Sequence, residues 1–126
     1  MSYLVDSSAW ISYLNGDSSG ERLNQILKSK EDIFVIAPII SEVISFINRK
    51  KGNLDLAYET ILKNSKLLNI SLKSAKSAGI LHGRAKAEKS NLPLIDAIII
   101  SIAQELNLKI LTKDSHFKSF KNTIYI

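Results

Sequence analysis

Tyr3-Leu4-Val5-Asp6-Ser7-Ser8-Ala9-Trp10 runs three apolar residues into an acid, two hydroxyls and the start of a second apolar stretch. Residues 3–5 read as a short buried strand, and Ser7-Ser8 can cap a helix that continues through Ile11, Tyr13 and Leu14. Asn15-Gly16-Asp17 then stops that helix. The same alternation continues downstream. Residues 21–28 carry Leu23, Ile26 and Leu27 on one helical side, and Ile33-Phe34-Val35-Ile36 is a fully apolar run of strand length. Pro38, whose missing amide proton costs nothing in a first turn, opens a helix that reaches Ile47 and stops at Lys51-Gly52-Asn53. Further helices are expected over 54–65, 74–89 and 93–106, and further strands over 67–70, 109–112 and 123–126. Strands alternating with helices demand a parallel sheet covered on both faces. The expected fold is an α/β sandwich with a central, mainly parallel sheet, in one domain spanning residues 1–126.

Composition narrows the chemistry. The chain has 126 residues, 45% hydrophobic and 23% charged, which suits one core and one site. Lys and Arg number 17 against 12 Asp and Glu, a formal charge of +5 that gives a mild preference for polyanions. Cysteine is absent, which excludes disulfides, thiolate zinc sites and cysteine nucleophiles, and is compatible with a reducing interior. The amino terminus lacks the basic start and long apolar core of a secretory signal. The most apolar region, residues 33–47, is interrupted by Pro38, Ser41, Glu42 and Ser45. It is also shorter than the ~20 residues that a bilayer crossing needs. The expected location is the cytoplasm.

Asp6, Glu42, Asp96 and Asp114 each lie just behind an apolar stretch, where a charge is normally avoided. In a parallel α/β sheet the carboxyl ends of the strands and the amino ends of the following helices share one edge, which is where ligands bind. Asp6 ends the first strand, Glu42 and Asp96 lie about a turn into helices opened by prolines, and Asp114 follows the strand of Ile110 and Leu111. Taken singly, each acid has a structural explanation: the helix dipole favours Glu42 and Asp96, and Asp114 could cap the turn Ser115-His116-Phe117. Four on one edge would repel one another, and a divalent cation removes that cost. Hard oxygen ligands, with no cysteine and no histidine at ligand spacing, select Mg²⁺ or Mn²⁺ over zinc. Such ions support phosphodiester hydrolysis.

The strings Leu4-Val5-Asp6-Ser7-Ser8, Ser41-Glu42-Val43, Asp96-Ala97-Ile98-Ile99 with Ala103, and Leu111-Thr112-Lys113-Asp114 with His116-Phe117 resemble those of the PIN-domain family. The likeness is greatest to the VapC-type toxins of toxin–antitoxin pairs, and it covers nearly the whole chain. The resemblance implies a PIN-like three-layer α/β/α sandwich and a Mg²⁺- or Mn²⁺-dependent endoribonuclease with Asp6, Glu42, Asp96 and Asp114 as catalytic, metal-binding acids. It further implies Thr112, and more weakly Ser7, as hydrogen-bonding support beside the site. A homodimer and a cognate antitoxin that blocks the acidic pocket are also implied. One departure is the run Ala97-Ile98-Ile99-Ile100-Ser101-Ile102-Ala103, bulkier than the alanine-rich form common in the family.

The basic residues have two readings each. Arg49-Lys50-Lys51 could hold RNA phosphates, although cations at a helix carboxyl end are favoured by the dipole alone. Lys73, Lys76, Arg84, Lys86 and Lys89 form either a phosphate-tracking flank or a solvated helix face. His82 and His116 have no evident partner, and His116 is expected to pack beside Phe117. Trp10 and Tyr13, three apart on one helix, suit a core or interface better than a base-stacking platform. An aspartate-nucleophile phosphatase would need a second acid two residues after Asp6, where Ser8 stands, and a receiver-like module would need paired acids there. The alternatives that remain are an RNA-processing nuclease of the same family outside any toxin–antitoxin pair, and an RNA- or metal-binding subunit without turnover.

Overall fold

The computed structural model describes residues 1–126. In chain order the elements are β1 (Ser2–Val5), α1 (Ser7–Asn15), α2 (Gly20–Lys28), β2 (Asp32–Ile36), α3 (Ala37–Arg49) and α4 (Leu54–Asn64). They continue with β3 (Lys66–Leu68), α5 (Leu72–Ala87), α6 (Leu94–Leu106), β4 (Lys109–Thr112), a 3₁₀ turn (Ser115–Phe117) and β5 (Thr123–Tyr125). Every strand pair is parallel, and the order across the sheet is β3-β2-β1-β4-β5.

That order dictates the layers. The chain steps outward from β1 through β2 to β3, then returns past β1 to β4 and β5. Right-handed crossovers put α1 to α4 on one face of the sheet and α5 and α6 on the other. The contacts agree: α1 packs on α2 and α3, α3 on α4, and α5 on α6. The result is the expected α/β/α sandwich, and β1 with β4 flanks the point where strand order reverses.

The core follows the apolar runs. Leu4, Val5, Val35, Ile36, Ile110 and Leu111 of the three inner strands are fully enclosed, against Trp10 of α1, Ile39 of α3 and Ile99 of α6. The bulky positions of α6 are used rather than merely tolerated, since Ile99, Ile100 and Ile102 are all buried. Trp10 is a core residue, its ring edge-on to Tyr13 at 6.4 Å. Gly16 ends α1 in the left-handed region at φ 69°, its N–H bonded to Ser12 and Tyr13 carbonyls. The side chains of Asn53 and Ser71 cap α4 and α5 by accepting from Leu56 N–H and Ser74 N–H, each at 3.0 Å.

Boundaries shift where polar residues join an element. β3 starts at Lys66, earlier than its apolar residues suggest, because Lys66 pairs with Phe34 in the ladder and its Nζ reaches Asp32 at 3.0 Å. α5 starts at Leu72 rather than Ser74, because Ser71 takes the cap. Pro93 is the residue before α6 rather than its first, extended at ψ 149°. β5 ends at Tyr125.

The seam between α1 and α2 depends on Gly20. A Cβ there would lie 2.4 Å from the Ser12 carbonyl oxygen and 2.7 Å from Tyr13 Cα, both backbone atoms that cannot yield cheaply. Gly79 and Gly83 in α5 have open space instead. Gly20→Ala is therefore expected to lower stability by about 1–3 kcal/mol through overpacking. Gly79→Ala is expected to raise it by about 0.5–1 kcal/mol through backbone entropy. Urea unfolding of the two variants measures both; a stabilising Gly20→Ala would contradict the close approach.

Candidate functional site

Asp6 belongs to the sheet and to the helix at once. Its N–H continues the ladder to the Leu111 carbonyl at 3.0 Å, and its carbonyl accepts from Ala9 and Trp10 N–H at 3.1 and 3.2 Å. Asp6, and not the expected Ser7-Ser8, stands at the N-cap of α1, because both serines already lie in the first helical turn, and its side chain makes no capping bond. Instead Oδ2 accepts from the Ser8 hydroxyl at 2.9 Å and the Thr112 hydroxyl at 2.8 Å. Those two oxygens accept in turn from the N–H groups of Lys113 and Asp114, each at 2.9 Å. The hydroxyls lie 3.1 Å apart, but each has a single proton and both are directed to Asp6. One carboxylate oxygen is thus locked between β1 and β4, while Oδ1 has no side-chain donor.

The other acids gather around this anchor. Asp96 lies in the first turn of α6 and is 6% exposed. Asp114 follows β4, and its Oδ1 accepts from His116 N–H at 2.9 Å, so this acid does cap the 3₁₀ turn. Glu42 is on α3, half-buried, with Oε1 enclosed and without a hydrogen-bond partner. Burial raises the Asp6 pKa first of all; the Thr112 and Ser8 hydroxyls oppose this and the Asp114 charge adds to it. Burial and the Asp6 charge raise Glu42, with the Ser7 side chain acting against them and the Asp114 charge adding to them. Burial is again the leading cause at Asp96, and with the Asp6 and Asp114 charges it overcomes the opposing His116 and pushes the carboxyl up to about 7. Neither lysine nor arginine answers these charges. The ion pairs of those residue types are Lys66–Asp32 at 3.0 Å and Lys113–Asp17 at 3.9 Å.

Two residues in the cluster were not anticipated. Ser8, read in the sequence as a helix cap and as the place where a phosphatase's second acid is missing, is the hydroxyl on Asp6; the neighbouring Ser7 acts on Glu42 instead. His116 contradicts the expectation that no histidine stands at ligand spacing. Its Nδ1 is 2.9 Å from Asp96 Oδ2 and 3.0 Å from Asp114 Oδ1, although Phe117 beside it does enter the core. Asp96, Asp114 and His116 each offer a ligand atom within 4.8 Å of the others. The available signal was the i, i+2 spacing after a strand-end acid, Asp6 with Ser8 and Asp114 with His116.

A divalent cation fits this donor set: two buried carboxylates and a half-buried one with raised proton affinity, no lysine or arginine among them, and an orphaned Glu42 oxygen. The basic candidates separate. Arg49 shares an open groove with Glu42, Pro38, Ser41, Ser45 and Ile95. Arg49 and Lys50 both stand over the Phe46 ring, at 5.8 and 5.7 Å, and Lys51 forms the turn after α3 with φ 56°. Arg84 lies in a different cleft, with Leu81, Ser101 and Gln104 between α5 and α6, and Lys86 is exposed on α5. No helix is long and apolar enough to cross a membrane.

The Asp96 shift has a sign that can be measured without any ion. An unperturbed Asp carboxyl titrates near 3.8 and Asp96 in the fold near about 7. Below the lower value both states are protonated. Between the two, the folded chain holds a proton that the unfolded chain has lost, so stability falls as pH rises and levels off above the upper value. Thermal unfolding in chelator is expected to show this fall from about pH 4 to 7, and Asp96→Asn is expected to flatten it and raise Tm at pH 8. Parallel curves for the two proteins would remove the electrostatic strain assigned to Asp96.

The fold has counterparts among known proteins. The sequence profile of the PIN domain matches residues 3–122. No curated protein sequence matches the chain. Among solved structures, VapBC2 from Rickettsia felis, bound to a DNA fragment from the promoter, superposes with TM-score 0.78 at 20% identity, covering 100% of this chain and 98% of that one. VapC20 of Mycobacterium tuberculosis, a sarcin-ricin loop cleaving toxin, superposes with TM-score 0.75 at 16% identity, covering 94% and 95%. VapBC-1 from nontypeable Haemophilus influenzae gives 0.74 at 17%, covering 100% and 97%. At such identities the structures establish a shared fold. With the profile spanning nearly every element of that fold, the chain belongs to the PIN domain family.

Proposed function

We propose that the protein is a Mg²⁺- or Mn²⁺-dependent endoribonuclease that hydrolyses RNA phosphodiester bonds, as the toxin of a VapBC-type pair. The observation that carries this reading is the convergence of Asp6, Asp96, Asp114 and Glu42, unanswered by any lysine or arginine, at the strand-order reversal of a PIN-domain chain. The similarity to VapBC structures supports the toxin assignment and a cognate antitoxin, and with them we propose a homodimer and a cytoplasmic location.

A divalent ion held by Asp6, Asp96 and Asp114 would supply charge to the scissile phosphate and a more acidic water as nucleophile. The chain's own work is positioning. Ser8 and Thr112 hold Asp6 in one rotamer, so that its second oxygen is presented without reorganisation. Glu42, with an unpartnered oxygen, would complete the site or position the attacking water. Arg49, on the groove beside Glu42, can hold a flanking phosphate, and the net charge of +5 favours approach of a polyanion. Lys50 and Lys51, next to Arg49, extend that basic edge, whereas Arg84 and Lys86 lie on the other helical layer.

Cleavage of a structured RNA, with and without chelator, tests the reading. Asp96→Asn is expected to lower the cleavage rate on the order of 10²-fold or more, with circular dichroism unchanged. Ser8→Ala and Thr112→Val are expected to cost about 10–100-fold by loosening Asp6. Cleavage at full rate by Asp96→Asn, or in excess chelator, would refute the assignment.

A further inference from the structure

His116 has a position that the acid cluster alone does not explain. A single ring nitrogen, Nδ1, lies 2.9 Å from a carboxylate oxygen of Asp96 and 3.0 Å from one of Asp114. The contact to Asp96 has hydrogen-bond geometry and takes the one proton that Nδ1 can carry, so a hydrogen bond accounts for only one of these two short contacts. They do match another geometry. Adjacent ligands of an octahedral ion with bonds of about 2.1 Å are separated by √2 times that length, about 3.0 Å. Both nitrogen–oxygen separations therefore have the spacing of adjacent ligand positions around one small ion, and the three residues offer ligand atoms within 4.8 Å of one another.

We infer that His116 is a nitrogen ligand to the same ion as Asp96 and Asp114, so that the site prefers Mn²⁺ to Mg²⁺; this rests on the metal-dependent reading above. The ring would bind through Nδ1 in its neutral form with the proton on Nε2. Asn91 stands 3.5 Å from Nε2 through its amide nitrogen, and a half-turn of that amide would offer its oxygen to the Nε2 proton. Imidazole nitrogen discriminates among ions that carboxylate oxygen treats alike. Mg²⁺ gains little from it, whereas transition ions gain along the Irving–Williams order. Placement supports a built feature rather than an accident of the surface. The backbone N–H of His116 is bonded to Asp114 Oδ1 at 2.9 Å and the following Phe117 is fully buried, so the turn that carries the ring is pinned from both sides.

Electron spin-echo spectroscopy of Mn²⁺ bound to the full chain reads the ligand directly. Nitrogen modulation characteristic of a coordinated imidazole is expected in the wild-type protein, lost in His116→Gln and retained in His82→Gln. In parallel titrations, His116→Gln is expected to weaken Mn²⁺ binding about 10-fold or more and Mg²⁺ binding by less than about 3-fold. Mn²⁺ bound with no nitrogen modulation would overturn the inference while leaving the carboxylate site standing. Absence of Mn²⁺ binding, or binding unchanged in Asp96→Asn, would overturn the metal site itself. The spectrum of the wild-type protein is decisive even where His116→Gln folds poorly.

Discussion

A carboxylate enclosed at the end of the central strand is the condition around which the fold is arranged. Asp6 is 3% exposed, and taking a charge out of water costs several kcal/mol unless its oxygens are satisfied. The side-chain donors all go to one oxygen: they are hydroxyls from α1 and β4 that themselves accept from backbone N–H groups beyond β4. That clip joins β1, α1 and the β4 exit into one unit. Residual strain then concentrates in the unsatisfied atoms facing Asp96, Asp114 and Glu42, where a ligand can use it.

Much of this is written in the order of residues. Apolar runs of strand length separated by helical spacings, with prolines and glycines at their ends, lead to the layers and to the parallel sheet. The four acids are visible because each follows such a run, and strand topology puts strand ends on one edge. The finer choices are not visible. Ser7 and Ser8 are both hydroxyls at a helix start, and about 100° of helical rotation per residue separates the one on Glu42 from the one on Asp6. His82 and His116 are equivalent as letters. Only the 3₁₀ turn capped by Asp114 brings one of them back over the acids. β3 was displaced for a similar reason, since an edge strand is held by backbone pairing and by Lys66 with Asp32 rather than by burial.

Charge is distributed unevenly, and burial decides how. Lysines dominate the exterior and give the chain its excess of +5, while Asp6 and Asp96 are held inside and Glu42 and Asp114 are half-buried, where their fields are less screened. On the α5–α6 side the reverse arrangement appears: Glu105 is exposed, its pKa lowered by Ser74 and Ser71 hydroxyls that tie the two helices together. An acid solvated and hydrogen-bonded is a strut. An acid desolvated and crowded by its own kind is a receptor.

The pairing of β1 with β4 spans most of the molecule, since Tyr3 lies opposite Lys109 in the ladder. Asp6, Ser8 and Glu42 come from the first third of the chain, and Thr112, Asp114 and His116 from its last few elements. During translation the inner edge of β1 must wait for β4 to emerge from the ribosome, and until then no pocket exists. A nascent chain of this topology lacks the complete acid cluster until its last elements are made.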